Sequence, residues 1–480
     1  MGTIIAYLET KTMTAHIGRN LSLEEMDKQS HLHPYSSLAD NLETGPKVWS
    51  GAKGIMLTDT QGNEFIDGMA GLWCVNIGYS RDEIADAVAA QMKQMSYYHS
   101  FATASNEPVI RLADRLLGLL PDNMSKIFFG NTGSDANDTN VKFVWYYSNL
   151  RGKPEKKKII SRERGYHGVT IAASSLTGQP LLHNAFDLPI NNIIHTLPNH
   201  YYRQAEPGMS ELEFSKHLAA ELDALIEREG PETVAAFIAE PVMGAGGVIT
   251  PPEGYFPEIQ KVLDKHDVLM IADEVICGFG RLGKWFGTYA YDIKPDIITM
   301  AKGLTSAYIP MSASAISQRV WDVLVEGSPK IGPFGHGYTY GAHPVAAVAA
   351  MANLDVIERE NLVDNSDKVG GYMQERLRAR LADHPLVGEI SGRALIAAVE
   401  LVKNKATKEE FDLGLKVGPQ MIAACMDEGL VIRSLMGTNS TAFSPPLVVN
   451  ESDIDEVLDR YSRALDKVAG DLKKDGHWNG

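Results

Sequence analysis

Cysteine is nearly absent: Cys74, Cys277 and Cys425 are the only three in 480 residues, far apart and without a CxxC pair. That excludes a disulfide framework and a thiolate zinc site, and makes a reduced, cytoplasmic setting the expectation. Long apolar runs are missing too, since none reaches the ~18 residues needed to span a membrane. Met1 to Ala15 lacks the basic start and apolar block of a secretory signal. Basic charge is in deficit, with 45 Lys and Arg against 61 Asp and Glu, a formal net charge of -16. A nucleic-acid partner would need a basic face to displace counterions, so none is expected. Small anionic substrates stay open, because a local basic spot can sit inside an acidic protein. No internal repeat or low-complexity tract is visible.

What is present is an ordinary globular composition, 44% hydrophobic and 22% charged, over a length that calls for more than one structural unit. The first ~30 residues are polar and weakly patterned, and read as an arm or leader. Ala52 to Gly68 alternates like a hairpin with Gln61-Gly-Asn as its turn. Short apolar runs come next at Lys126 to Phe129, Lys158 to Ile160, Val234 to Ile238, Val268 to Ala272 and Asp296 to Met300. Helix-like segments lie between several of them, such as Asp135 to Asn149 with Val141, Val144 and Trp145 at helical spacing. Apolar strands alternating with helices predict a mostly parallel sheet covered on both faces, with ligands beyond the carboxyl ends of its strands. After Pro344 an Ala-rich helix leads to strand-like segments around Leu395 to Val402 and Gly429 to Ile432, then a final helix from Asp453 to Leu472. This region reads as a second, smaller domain.

The chemistry-bearing residues sit where such a sheet presents them. Lys302, in Ala-Lys-Gly just past an apolar strand, becomes a nucleophile if burial and nearby cations lower its pKa. The strand Val268-Leu-Met-Ile-Ala ends in Asp273 and Glu274, and alternation sends one into a site and the other elsewhere. An ionised aspartate beside a pyridine nitrogen would keep that nitrogen protonated; metal binding, or two solvated acids, is the competing reading. Gly130-Asn-Thr-Gly133-Ser134-Asp135, between strand and helix, suits a phosphate through its glycine, its hydroxyl and the helix start. Asp135 would repel that phosphate, so it must point away. Tyr166, in Arg164-Gly-Tyr-His-Gly168, can lay its ring on a planar ligand. Gly335-His-Gly-Tyr-Thr339-Tyr-Gly offers the Thr339 hydroxyl and backbone amides to an anion.

Two patterns compete with these. Gly278-Phe-Gly280-Arg-Leu-Gly283 fits GxGxxG, but the residues after it make a poor helix and the acid expected about twenty residues on is replaced by the lysine region. His31 and His33 look like a metal pair, yet no third ligand stands close in sequence, so packing is expected and no metal site is assigned.

Taken in order, the glycine-serine turn, Tyr-His-Gly, Asp-Glu-Val, Ala-Lys-Gly and Tyr-Thr-Tyr resemble the class III aminotransferases over most of the chain. Asp67-Gly-Met-Ala-Gly-Leu-Trp73-Cys-Val-Asn-Ile-Gly-Tyr79 looks like the amine:pyruvate (omega-transaminase) subgroup. The resemblance implies an α/β protein of PLP fold type I: a large domain with a mostly parallel, mixed seven-stranded sheet covered by helices, plus a smaller α+β domain. It implies an N-terminal arm and hairpin over 1–75 packing with the small domain, a cofactor domain over 76–345 and the small domain over 346–480. It further implies pyridoxal 5'-phosphate (PLP) as cofactor, joined to Lys302 as a Schiff base, with Asp273 at the pyridinium nitrogen. Tyr166 and Val275 would flank the ring, and Gly133 and Ser134 would bind the phosphate. Thr339 would reach it from a neighbouring subunit, which implies a homodimer, or a tetramer built from it. Tyr35, Trp73, Tyr166 and Arg433 would meet the substrate, Arg433 by clamping a carboxylate.

Departures sharpen the expectation. In Glu240-Pro-Val-Met-Gly-Ala245-Gly-Gly, Ala245 stands where the family's gamma-amino-acid members carry a glutamate that pairs with the switching arginine. This argues for pyruvate over 2-oxoglutarate. Asp135 replaces a more usual glutamate, and Ser391-Gly-Arg-Ala394-Leu departs from the arginine-glycine pattern of the small domain. The expected reaction is ping-pong transfer from an amine or omega-amino acid to pyruvate, with Lys302 moving the proton. A PLP-dependent decarboxylase or amino-mutase on the same fold, and a nicotinamide oxidoreductase, are the alternatives.

Overall fold

Val234–Ala239 is apolar throughout and Leu269–Asp273 is apolar up to its last residue, and both are buried at every position. Strands buried on both faces belong inside a sheet covered on two sides. The computed structural model describes residues 21–480, so the start of the expected N-terminal arm lies outside the described residues.

In chain order the strands are β1 (Trp49–Lys53), β2 (Met56–Asp59), β3 (Glu64–Asp67), β4 (Met124–Gly130), β5 (Lys158–Arg162), β6 (Ile193–Thr196), β7 (Val234–Ala239) and β8 (Leu269–Asp273). They continue with β9 (Ile297–Met300), β10 (Ser312–Ser317), β11 (Val387–Arg393), β12 (Ile396–Leu401), β13 (Leu430–Val431), β14 (Arg433–Ser434) and β15 (Ser440–Phe443). The central sheet has seven strands in the order β4-β10-β9-β8-β7-β5-β6. Neighbours from β9 to β6 run parallel, and β10 is antiparallel to both β4 and β9. The expected mixed, mostly parallel α/β sheet is what the chain forms.

Alternation along the strands sorts the core. Ile159, Ala236, Ile238, Leu269, Ile271 and Ile297 meet Val141, Phe143, Val144 and Tyr147 of the helix Gly133–Leu150 on one face. Ile160, Phe237, Ala239, Met270, Ala272 and Ile298 meet the Ala-rich helix Pro344–Arg359 within the core of the other. Burying each such Ile or Phe is worth about 1.5–3 kcal/mol, so a polar residue is tolerated here only with partners. Asp273 follows Leu269 and Ile271 on the face of the helix Gly133–Leu150, and Glu274 turns to the opposite side.

The chain divides into two compact units, Met1–Gly51 with Leu57–Glu64, and Ala52–Met56 with Phe65–Gly480. In the first, the expected featureless arm is already helical from Leu23 to Ser30, because Ser22 and Glu25 form a reciprocal capping box. The predicted turn at Gln61-Gly-Asn is present, its amides at Gln61 and Asn63 donating to Asp59 Oδ1, 2.9 Å each. In the second unit, β3 pairs in parallel with β13, Ile66 opposite Leu430 and Asp67 opposite Val431. The C-terminal sheet has the order β11-β12-β15-β14. The last helix, Glu451–Lys474, starts on an Asn450–Asp453 capping box. Among the described residues, no helix is long and apolar enough to cross a membrane.

Candidate active site

The carboxyl end of β8 carries a fully partnered acid. Asp273, 4% exposed, accepts at Oδ2 from Asn137 Nδ2 and His167 Nδ1, both at 2.8 Å. Its Oδ1 accepts from the backbone of Val275 at 3.1 Å. Asn137 is itself fixed: Thr299 Oγ1 donates to its Oδ1 at 2.8 Å, and its amide also reaches the His167 carbonyl at 2.7 Å. Thr299 lies opposite Asp273 in the sheet register. Glu274 behaves otherwise. It is fully buried and accepts from the backbone amides of Gly287 at 2.8 Å and Thr288 at 2.6 Å, while burial pushes its carboxyl up to about 7.

Lys302 sits one strand over, past β9, at the head of the turn Lys302–Leu304 with φ +48°. A left-handed non-glycine residue of this kind is uncommon, and it re-aims the side chain as the strand ends. Burial lowers the amine's pKa, with Arg433 adding to the effect and Cys74 and Asp273 opposing it. The depressed amine is what nucleophilic use requires.

The predicted glycine-serine turn starts the helix Gly133–Leu150. Thr132 caps it, and the Asp135 side chain turns back to the amides of Asn131 (2.9 Å) and Thr132 (3.1 Å), away from the helix mouth as the sequence required. A methyl on Gly133 would lie 3.1 Å from Val275, so the turn and the residue after the Asp-Glu pair share one small space. Ser134 Oγ accepts from the amide of Val169 at 3.0 Å. Gly168, at φ +130°, passes so close that an added carbon would meet Ser134 Oγ at 2.5 Å.

A second wall is aromatic. Asp67, fully buried, gathers the amides of Met69 (3.0 Å) and Gly71 (2.6 Å) and the Tyr79 hydroxyl (2.6 Å), which fixes the turn leading to Trp73. Trp73 is 2% exposed, and its indole Nε1 has no hydrogen-bond partner among the described residues. Lys302 Nζ lies 5.7 Å from the centre of the Trp73 ring, and the Arg433 guanidinium carbon 5.3 Å from it. Ala245, Val242, Ile276 and Leu435 complete this apolar cluster, with Tyr166 packed against it. The Tyr166 amide donates to Glu240 Oε1 at 3.0 Å.

Other predicted residues stand elsewhere in the chain. Thr339 is exposed in its loop, with its carbonyl accepting from the Tyr97 hydroxyl at 2.5 Å. Tyr35 belongs to the first unit, where it is exposed with φ +54°. His31 and His33 do have a third potential ligand, contrary to the sequence reading: Asp27, one helical turn before His31, meets them at 3.2 and 2.7 Å. Helical spacing, which brings i and i+4 together, was the available signal. The GxGxxG segment is a run of turns rather than a helix start, and its Arg281 is buried, donating to the carbonyls of Leu395 (2.8 Å) and Pro445 (2.5 Å). Sequence reasoning missed Asn137, whose signal is polar residues at 137 and 140 on an otherwise core-facing side of the helix. It also gave no role to His167 or Glu240.

Comparison with known proteins fits this geometry. Residues 40–465 match the family described as Aminotransferase class-III. A diaminobutyrate--2-oxoglutarate transaminase of Halomonas elongata is 50% identical over 97% of this chain and 99% of its own length. A putrescine--pyruvate aminotransferase of Pseudomonas aeruginosa is 42% identical over 93% of this chain and 96% of its own. The omega transaminase of Pseudomonas jessenii, solved in complex with PMP, is 44% identical with a TM-score of 0.92, covering 96% of this chain and 100% of that one. The sheet order, the strand-end lysine and acid, and these likenesses agree: the chain belongs to the class-III aminotransferases, PLP-dependent enzymes of fold type I.

Proposed function

We propose that this aminotransferase moves the amino group of an amine or omega-amino acid to pyruvate, yielding an aldehyde or ketone and alanine. One observation carries the reading: the Lys302 amine and the Arg433 guanidinium stand against the same Trp73 ring, at 5.7 and 5.3 Å. Amine chemistry and a carboxylate clamp therefore share one pocket.

The residues present fit PLP. Gly133 and Ser134 form a helix mouth for the phosphate, in a space that a Cβ at Gly133 would fill against Val275. Asp273 is a buried carboxylate with two side-chain donors already on one oxygen, suited to hold a proton on a ring nitrogen. Tyr166 and Val275 are the flanking groups for a planar ring. When bound, the cofactor supplies an aldehyde that joins amines and a ring that takes up an electron pair. Lys302 Nζ would be the amine that holds the cofactor, and is the group placed to carry a proton from the donor's amine-bearing carbon. Arg433 pairs with the carboxylate of the keto acid. The apolar cluster around Trp73 and Ala245 keeps water from the reacting carbon.

Ala245 supports pyruvate as acceptor, because it stands where the family's gamma-amino-acid members carry a glutamate that pairs with the switching arginine. The exposed Thr339 supports a homodimer in which this hydroxyl serves the phosphate of the partner's site. A second reading, with 2-oxoglutarate as acceptor, is favoured by the keto acid that the Halomonas elongata relative uses. A donor panel run with each keto acid decides between them. Alanine formed in step with donor loss, without CO2, supports the proposal; glutamate as the main product overturns the acceptor, and CO2 release overturns the reaction. Borohydride reduction of the loaded enzyme should leave its label on Lys302, and a label elsewhere overturns that role.

A further inference from the structure

The turn after β7 carries Ala245 into the apolar cluster beside Trp73, so its position shapes that pocket. It is held from the inside by Glu240, whose carboxylate accepts from the amides of Gly244 (2.8 Å) and Tyr166 (3.0 Å). Met243 and Ile249 close its base with paired backbone bonds of 3.1 and 3.0 Å. From the outside, Arg164 Nε donates to the Gly246 carbonyl at 2.9 Å, and Ser391 Oγ of β11 donates to that of Gly247 at 3.4 Å. A methyl on Gly246 would lie 2.2 Å from the Arg164 carbonyl, so the turn rests directly on that residue's backbone.

The other end of Arg164 leads away from the pocket. Its Nη1 donates to His200 Nδ1 at 3.1 Å, and His200 Nε2 donates to Glu389 Oε2 at 2.8 Å. With Nδ1 accepting and Nε2 donating, the imidazole spaces the arginine from the carboxylate. His200 is 4% exposed, where charge-assisted bonds are strengthened by exclusion of water. Glu389 is presented by an irregularity in β11, the register slipping between Val387 and Glu389. Such bulges re-aim a side chain. Gly388 is required there, since an added carbon would meet Val402 at 2.5 Å.

We infer that Arg164, His200 and Glu389 form a positioning relay that ties β11 to the Ala245 turn and thereby sets which donor sizes the pocket discriminates. The inference rests on the proposed reading of the Trp73 pocket as the substrate pocket. None of the three residues meets the reacting atoms, so all are positioning residues. The relay acts on one wall only, and leaves the Lys302, Asp273 and Ser134 contacts in place.

The test uses the full-length, PLP-loaded enzyme, with pyruvate fixed as acceptor and a series of primary amines from ethylamine to 1-phenylethylamine. In Arg164→Met and Glu389→Ala, the spread of kcat/KM between small and bulky donors should narrow by about tenfold, as ångström-scale misplacement can cost up to about a hundredfold. The visible absorbance of the bound cofactor should be unchanged, and Glu389→Gln, which still accepts from His200, should restore most of the spread. The double variant Arg164→Met/Glu389→Ala should be no worse than Arg164→Met, because members of one relay are not additive. A uniform change across all donors, or additive losses in the double variant, overturns the relay. Loss of the Lys302 borohydride label in the unaltered enzyme overturns the pocket reading and the relay with it; an intact label with an unchanged spread between donors in the variants overturns the relay alone.

Discussion

The cofactor cradle and the aromatic wall are built in opposite ways. The cradle gathers strand ends of one sheet: Asp273 from β8, Lys302 after β9, the Gly133 turn after β4 and Tyr166 after β5. Its polar groups are interlocked side chain to side chain, with Asn137 and His167 meeting on the Asp273 carboxylate and Thr299 fixing Asn137 from behind. The wall instead joins Trp73, Ala245 and Arg433, from stretches distant in sequence, through apolar packing and side chain-to-backbone bonds. A group whose position is fixed by a sheet register cannot drift without disturbing the core, whereas a braced turn can shift while the sheet stays intact. On the proposed reading of the site, the rigid half sets reaction type and the adjustable half substrate choice.

The comparison is broken most severely at Lys302. Lys302→Ala should abolish turnover, a loss on the order of 10^5-fold or more as expected for removal of a central nucleophile, with thermal unfolding changed by less than about 1 kcal/mol. Steady-state assay and calorimetry check the two halves of that statement. Asp273→Asn should cost about 10^2- to 10^3-fold in kcat, the scale for removing one preorganised electrostatic partner. Saturating PLP in the assay separates this from loss of cofactor. Its neighbour should respond in stability instead. Because burial raises the Glu274 carboxyl from 4.5 to about 7, the folded state favours the protonated form. That contribution is full below 4.5 and is lost as pH rises through about 7, amounting to at most about 3 kcal/mol. Glu274→Gln should flatten the dependence of urea stability on pH across that window, and an unchanged slope would contradict it. The smallest effect belongs to the wall: Ala245→Glu gives Arg433 an internal carboxylate, so KM for pyruvate should rise by about tenfold, the equivalent of about 1.4 kcal/mol, with kcat little changed.

The rigid half was the legible one. Lys302 and Asp273 stood out because a charge closing an apolar strand needs a reason, and the sheet's alternation puts that charge at a predictable edge. Asp135 could be told to point away from electrostatics alone, and the capping box is how it does so. β10 escaped notice because Ser-Ala-Ser-Ala-Ile-Ser has no apolar run, yet it is buried throughout. Its serines bond to the neighbouring helix start, Ser312 Oγ to Asp135 at 2.9 Å and Ser314 Oγ to the Ala136 carbonyl at 3.2 Å. The braces of the wall were illegible for a different reason. Arg164 and His200 are separated by 36 residues and His200 and Glu389 by 189, and no periodicity links positions so far apart.

Trp73 closes its pocket from a backbone that glycine would adopt more readily, with φ +60° following +49° at Ala70 and +67° at Gly71. Cutting away a buried tryptophan ordinarily costs about 3–5 kcal/mol. At this position a glycine would recover about 1–2 kcal/mol of left-handed strain. The indole is in effect a detachable panel: its frame, clipped by Asp67, already has the shape that an empty slot requires, so the chamber can be enlarged there without rebuilding its hinge.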